Sequence, residues 1–119
     1  YKVAESDDFY AFLDINPLVE GHTLVIPRHT EADYIFDLDS ETYLGLMEFA
    51  GKLAGAIKAA IPCKRVGVAV LGMEVPHTHI HLVPMSSEGD LNFSNPKKEL
   101  SAEQFKDIAG RIAEAFNNL

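Results

Sequence analysis

The chain is poor in several residue types, and each shortage excludes a class of protein. Its 119 residues include no tryptophan and one cysteine, Cys63. A lone thiol builds no disulfide framework, so the fold must rest on its hydrophobic core, and a reducing compartment is expected. Positive charge is scarce: 10 Lys and Arg stand against 18 Asp and Glu, a formal net charge of −8 with histidine neutral. So acidic a surface repels the backbone of a nucleic acid polymer, although one local pocket can still take a mononucleotide. No apolar run approaches the about 18–20 residues that cross a bilayer, and no charged-then-apolar leader opens the chain. The expectation is a cytoplasmic protein with neither membrane nor nucleic acid polymer among its partners.

What is present is globular material, 47% hydrophobic and 24% charged. That suffices for one domain over residues 1–119 whose core requires no structural metal. Tyr1 stands where Met would open a chain, which leaves room for a short segment upstream. Phe9–Leu13 is an apolar run stopped by the turn signal Asp14-Ile15-Asn16-Pro17, and residues 22–26, closed by Pro27, read as a second strand. Asp39 can cap a long helix, with Leu38 stapled to Tyr43 and an apolar stripe through Leu46, Ala50, Leu53 and Ile57 up to Pro62. Residues 65–71 read as a strand with Val66, Val68 and Val70 on one face. Gly72-Met73-Glu74 interrupts it, and a strand resumes over 75–83. Residues 85–99 form a long polar loop of the kind that lines a site or an interface. A C-terminal helix opens on the capping box Ser101/Gln104. The fold class expected is α+β: an antiparallel β-meander sheet with one long helix packed on it and a C-terminal helix.

The chemistry concentrates in His77-Thr78-His79-Ile80-His81. In a strand, residues two apart share a face, so the three imidazoles point one way and Thr78 and Ile80 the other. A metal is one reading. At about 3.3 Å rise per residue the outer two histidines start about 13 Å apart, too far for one ion. A zinc site would need His77/His79 or His79/His81 together with His22 and a fourth ligand. Nucleophilic attack on phosphorus by the middle imidazole is the other reading, and it uses all three residues.

The run His77-Thr78-His79-Ile80-His81-Leu82-Val83 resembles the histidine triad (HIT) superfamily of nucleotide hydrolases and transferases. The upstream blocks, residues 11–17 and then Gly21-His22-Thr23-Leu24-Val25-Ile26-Pro27-Arg28, are similar to the segment that precedes its long helix. The similarity spans about residues 9–84 and is greatest to the Hint-like branch. By that resemblance His79 is the nucleophile, His77 and His81 flank it, and His22 is a fourth histidine from a neighbouring strand. Asp14 holds the ribose hydroxyls, and Phe12, Ile15 and Leu24 wall the base and sugar. Asp14 could instead form an Asx-turn, and Phe12 and Leu24 could be core. Before the triad the family carries Gly-Gln-Ser/Thr-Val; here Met73 and Glu74 replace the amide and the hydroxyl, which puts Glu74 at the phosphate or leaving group. The resemblance implies a purine nucleotide ligand, a nucleotidyl-histidine intermediate, no cofactor or metal, and a homodimer built on the long helix and central strands. Dinucleoside polyphosphate hydrolysis, as in the Fhit-like branch, and nucleotide binding with little turnover remain as alternatives.

Overall fold

The computed structural model describes residues 1–119. Five strands, β1 (Lys2–Glu5), β2 (Phe9–Leu13), β3 (Thr23–Pro27), β4 (Arg65–Ala69) and β5 (Ile80–Met85), form one sheet, with helices α1 (Ser40–Ala60) and α2 (Ala102–Asn117). Every pairing is antiparallel and the strand order is β1-β2-β3-β5-β4. This is the α+β sheet with a long and a C-terminal helix read from the sequence. The meander, however, is broken after β3. A helix of 21 residues spans about 30 Å at 1.5 Å per residue, enough to carry the chain to the far edge, where β4 forms before β5 returns to lie between it and β3.

Both helices begin where their caps stand. The Asp39 carboxylate accepts from the Thr42 N–H, and the Ser101/Gln104 box is closed in both directions. Ala11, Leu13, Val25, Ile80 and Leu82 point to one face of the sheet, and Leu46, Leu53 and Ile57 of α1 and Ile108 and Ile112 of α2 bury against them. The alternate residues form a row on the opposite face, because Phe12 pairs with Leu24 and Leu24 pairs with His81. One face is thus core, and the other can be functional. No helix is long and apolar enough to cross a membrane.

Three sequence expectations need correction. β1 is an additional strand, pairing with β2 through an irregular register. The strand expected over 65–71 ends at Ala69 and lies at the sheet edge, so Val68 is 51% exposed. The strand expected over 75–83 begins only at Ile80. Residues 72–79 instead form a bend: Gly72 takes φ +70°, Pro76 has no N–H to donate, and the His77 N–H turns back to the Val75 carbonyl at 2.9 Å. Thr78 then ties the bend down, donating its N–H and its hydroxyl to the Ala32 carbonyl, each at 3.0 Å.

Candidate active site

An open cleft of about 650 Å³ runs over the non-core face of the sheet. Its walls carry Asp14, Asn16, His22 and Leu24 from the β2–β3 region, residues 71–75 with His79 and His81, and Phe93 and Lys97 from the long loop.

The β2–β3 turn sets the first wall. The Asp14 N–H donates to the His22 carbonyl at 3.0 Å, and Asp14 Oδ1 accepts from the Asn16 N–H at 2.9 Å. The Asx-turn is therefore real, but it uses one carboxylate oxygen only. Oδ2 lies 3.6 Å from His22 Nε2. The turn therefore does not use up the side chain, and Oδ2 stays on the cleft wall beside His22. Gly21, at φ +92°, lets the chain pass within reach of Ile61 and Pro84, where a Cβ would meet their side chains at 3.0 and 3.2 Å.

Hydrogen-bond partners fix the proton positions on the histidines. The Leu18 N–H donates to His22 Nδ1 at 3.0 Å, so the proton of the neutral His22 ring sits on Nε2. That nitrogen lies 2.9 Å from His81 Nδ1, which must accept, leaving the His81 proton on Nε2. His22 is 1% and His81 8% exposed. Burial, above all, pushes the His22 pKa below its ordinary value; the Asp14 carboxylate opposes this and the Lys97 ammonium adds to it. His81 falls to about 4, through burial first and then the neighbouring His22 and His79, against the pull of Asp14. The pair is neutral near pH 7, and His81 is a fixed N–H donor.

His79 is arranged in the opposite sense. Its Nδ1 lies 2.8 Å from the His77 carbonyl, which can only accept. The proton is therefore on Nδ1 and Nε2 carries a free lone pair. The His79 and His81 rings meet edge to face, with centroids 5.0 Å apart. The sequence placed His77 beside them as an equal partner. Here its Nε2–H donates to the Pro27 carbonyl at 2.9 Å, and the ring is not on the cleft wall. His77 anchors the backbone whose carbonyl orients His79. Strand alternation holds for His79 and His81 but not in the way expected, because His77 and His79 belong to the bend.

Leu24 lines the cleft, with Phe12 beside it in register. Ile15 is 67% exposed on the turn, away from the lining. Glu74 and Met73 line the same cleft from the exposed bend. Two residues were missed by sequence reasoning. Phe93 packs edge-on against His81 at 4.8 Å and His22 at 6.2 Å between centroids, and Lys97 is the one Lys or Arg of the lining. The signal that could have found them was the unusual length of the polar loop.

One trio offers metal-ligand chemistry: Asp14, His22 and His81 bring ligand atoms within 4.8 Å of one another. This differs from the triad-based sites weighed from the sequence. In this structure the facing nitrogens of the two histidines are spent on each other.

The bend and the sheet together present a bare imidazole nitrogen beside a neutral imidazole donor, an arrangement that fits the histidine-triad resemblance, and comparison with known proteins shows the family. The HIT domain family matches residues 1–88. An uncharacterized HIT-like protein of Borreliella burgdorferi is 34% identical over 122 residues, covering 95% of this chain and 86% of that one. The chain belongs to the HIT family, whose members are nucleotide-binding hydrolases and transferases. The adenosine 5'-monophosphoramidase of Saccharomyces cerevisiae is 36% identical over 89 residues, 74% of this chain and 56% of the yeast protein. A hypothetical histidine triad nucleotide-binding protein from Sulfolobus tokodaii superposes with a TM-score of 0.80 at 32% identity, covering 100% of this chain and 85% of that one.

Proposed function

We propose that this chain is a Hint-like nucleotidyl hydrolase, cleaving a purine nucleoside monophosphate from an amine leaving group. The carrying observation is the lone pair of His79 Nε2 on the cleft wall. In this reading Nε2 attacks the α-phosphorus and the phosphorus–nitrogen bond to the amine breaks, the amine leaving with a proton from cleft water. The hydroxide left by that water then attacks phosphorus, breaks the bond to His79 and releases the monophosphate. The His81 Nε2–H stabilises the phosphoryl oxygens as charge builds on them. His22 holds that donor in place, and His77 acts as a positioning residue through its carbonyl. The free Oδ2 of Asp14 suits a ribose hydroxyl, and Leu24 and Phe12 suit a base. Glu74 favours a cationic amine over an anionic polyphosphate as leaving group, which separates this reading from dinucleoside polyphosphate hydrolysis. The similarity to the yeast monophosphoramidase points the same way.

The chemistry as written routes no step through a metal. A panel of adenosine phosphoramidates and dinucleoside polyphosphates, run on wild type and His79→Ala with and without EDTA, tests the reading. The expected result is preferred phosphoramidate cleavage, unchanged by EDTA and reduced on the order of 10³-fold or more in His79→Ala, with AMP affinity held within about tenfold. A nucleotidyl adduct trapped on any other residue, or EDTA-sensitive turnover restored by zinc, overturns it. AMP binding without turnover of any substrate favours the binding-module alternative.

The same reading makes the protein a cytoplasmic homodimer. β4 is an edge strand with an unpaired side, and Val68, Val70 and Leu71 beside it and Leu44 and Met47 of α1 are exposed apolar residues. The expected interface on the long helix and central strands is reached when two β4 edges pair and become central. Light scattering on wild type and Val68→Lys checks this: a dimer converted to a monomer is expected, and a monomeric wild type refutes it.

A further inference from the structure

We propose that Lys97 is the phosphate-binding cation of this cleft, holding the phosphoryl group of the nucleotide against the wall formed by His79 and His81. The inference deepens the nucleotide reading above and rests on it.

A phosphate entering this cleft meets an adverse field. The protein carries a net charge of −8. The lining adds two carboxylates, Asp14 and Glu74, while the buried His22 and His81 are held neutral. Neutral N–H donors can bind phosphoryl oxygens, but they cannot offset that charge. Lys97 is the one Lys or Arg in the lining. Of the nine other Lys and Arg, none lines the cleft, and four are engaged elsewhere: Lys2 and Arg28 with Glu5, Lys52 with Glu48, and Arg111 with Asp107.

Its ammonium is also held in place before any ligand arrives. The Lys98 N–H donates to the Pro17 carbonyl at 2.8 Å, tying the loop to the β2–β3 turn. Asn92 Oδ1 accepts from the Ser94 N–H at 2.9 Å, and the Asn95 side-chain amide donates to the Gly89 carbonyl at 2.7 Å. Within this braced loop Lys97 Nζ donates to the carbonyls of Phe93 at 2.6 Å and Asn95 at 3.2 Å. An ammonium has three donors, so one remains for a ligand. The Phe93 carbonyl that holds it belongs to the residue whose ring covers His22 and His81. Cover and cation are thus delivered by one segment, and the Lys97 charge is felt at His22. Pre-setting a lysine in this way reduces the ordering cost that a free side chain would bring to binding.

The test is calorimetric titration of wild type, Lys97→Met and Lys97→Arg with AMP and, separately, with adenosine, which lacks the phosphate. Lys97→Met is expected to bind AMP about 10- to 100-fold more weakly while adenosine stays within about twofold, and Lys97→Arg to recover most of the loss. Raising salt should weaken AMP binding to wild type and do little to Lys97→Met. Equal weakening of AMP and adenosine would make Lys97 a structural residue and overturn the proposal. So would unchanged AMP affinity. A wild type that binds neither ligand would overturn the nucleotide reading itself, and this inference with it. Thermal melts of the variants show whether each is folded, and Lys97 is exposed enough for both replacements to be accommodated.

Discussion

His79 and His81 are separated by one residue, yet the segments that carry them are built on different principles. His81 belongs to β5, which is hydrogen-bonded on both sides, to β3 and β4, and rests on Ile80 and Leu82, which are 0% and 1% exposed. His79 ends the 72–79 bend, where Met73 is 89% and Val75 56% exposed. The bend is held by Thr78 on Ala32 and His77 on Pro27 rather than by a strand ladder. The donor proposed to stabilise the phosphoryl oxygens sits on a strand paired on both sides. The proposed nucleophile sits where that strand meets an exposed segment. A phosphoryl group's charge needs a fixed partner, whereas an attacking nitrogen must first meet phosphorus and later release it.

The sharpest way to break the comparison is by stability. Leu82→Ala, beneath the β5 floor, should cost about 2–5 kcal/mol, whereas Met73→Ala in the bend should stay within about 0.5 kcal/mol. Urea unfolding of both variants checks this, and comparable losses would mean that the bend is as packed as the floor.

The next effect is a pH dependence confined to the floor. The pKa values of His22 and His81 are lowered on folding. Between about pH 6.5 and His81's value of about 4, the unfolded chain therefore binds protons that the folded protein excludes. Their contribution is fully present above about pH 6.5 and is lost as the pH falls through that window. Glu5, Asp39 and Asp90, whose pKa values are also lowered on folding, add losses at more acidic pH. His81→Asn keeps an acceptor for His22 but cannot be protonated there. Melting temperatures of wild type and His81→Asn from pH 7 to 4.5 should show a shallower decline in the variant; parallel slopes would remove His81 as a cause.

The smallest effect belongs to the bend itself. Glu74 is exposed, so water screens its charge, and Glu74→Ser should narrow the ratio of phosphoramidate to polyphosphate kcat/KM by only about three- to fivefold. An unchanged ratio would mean that Glu74 shapes the turn and does not read the leaving group.

Local signals carried much of this structure. Asp39, Leu38 and the Ser101/Gln104 box specify where helices begin through contacts within a few residues, and they are legible for that reason. The alternation of Thr78 and Ile80 against His79 and His81 marked the buried and cleft-facing sides correctly, though not for His77, since period-two geometry is also local. What escaped was set by distant partners. His77 turns to Pro27, Phe93 covers His22 and His81, and Lys98 reaches Pro17, each across a stretch of chain that no periodicity connects. The break at Gly72-Met73-Glu74 was legible, but its extension through residues 75–79 escaped because Val75 looks like a strand residue, while Pro76 and the Ala32 carbonyl decide otherwise.

The hydrogen bond from Lys98 to Pro17 also bears on how the protein comes into being. Pro17 leaves the ribosome early, and Lys98 follows only after β5, the last strand of the sheet, has been made. The bond that ties down the loop and the α2 residues Ile108 and Ile112 that pack beneath the sheet both come from the last third of the chain, so the floor and the cover over the histidine pair are completed together.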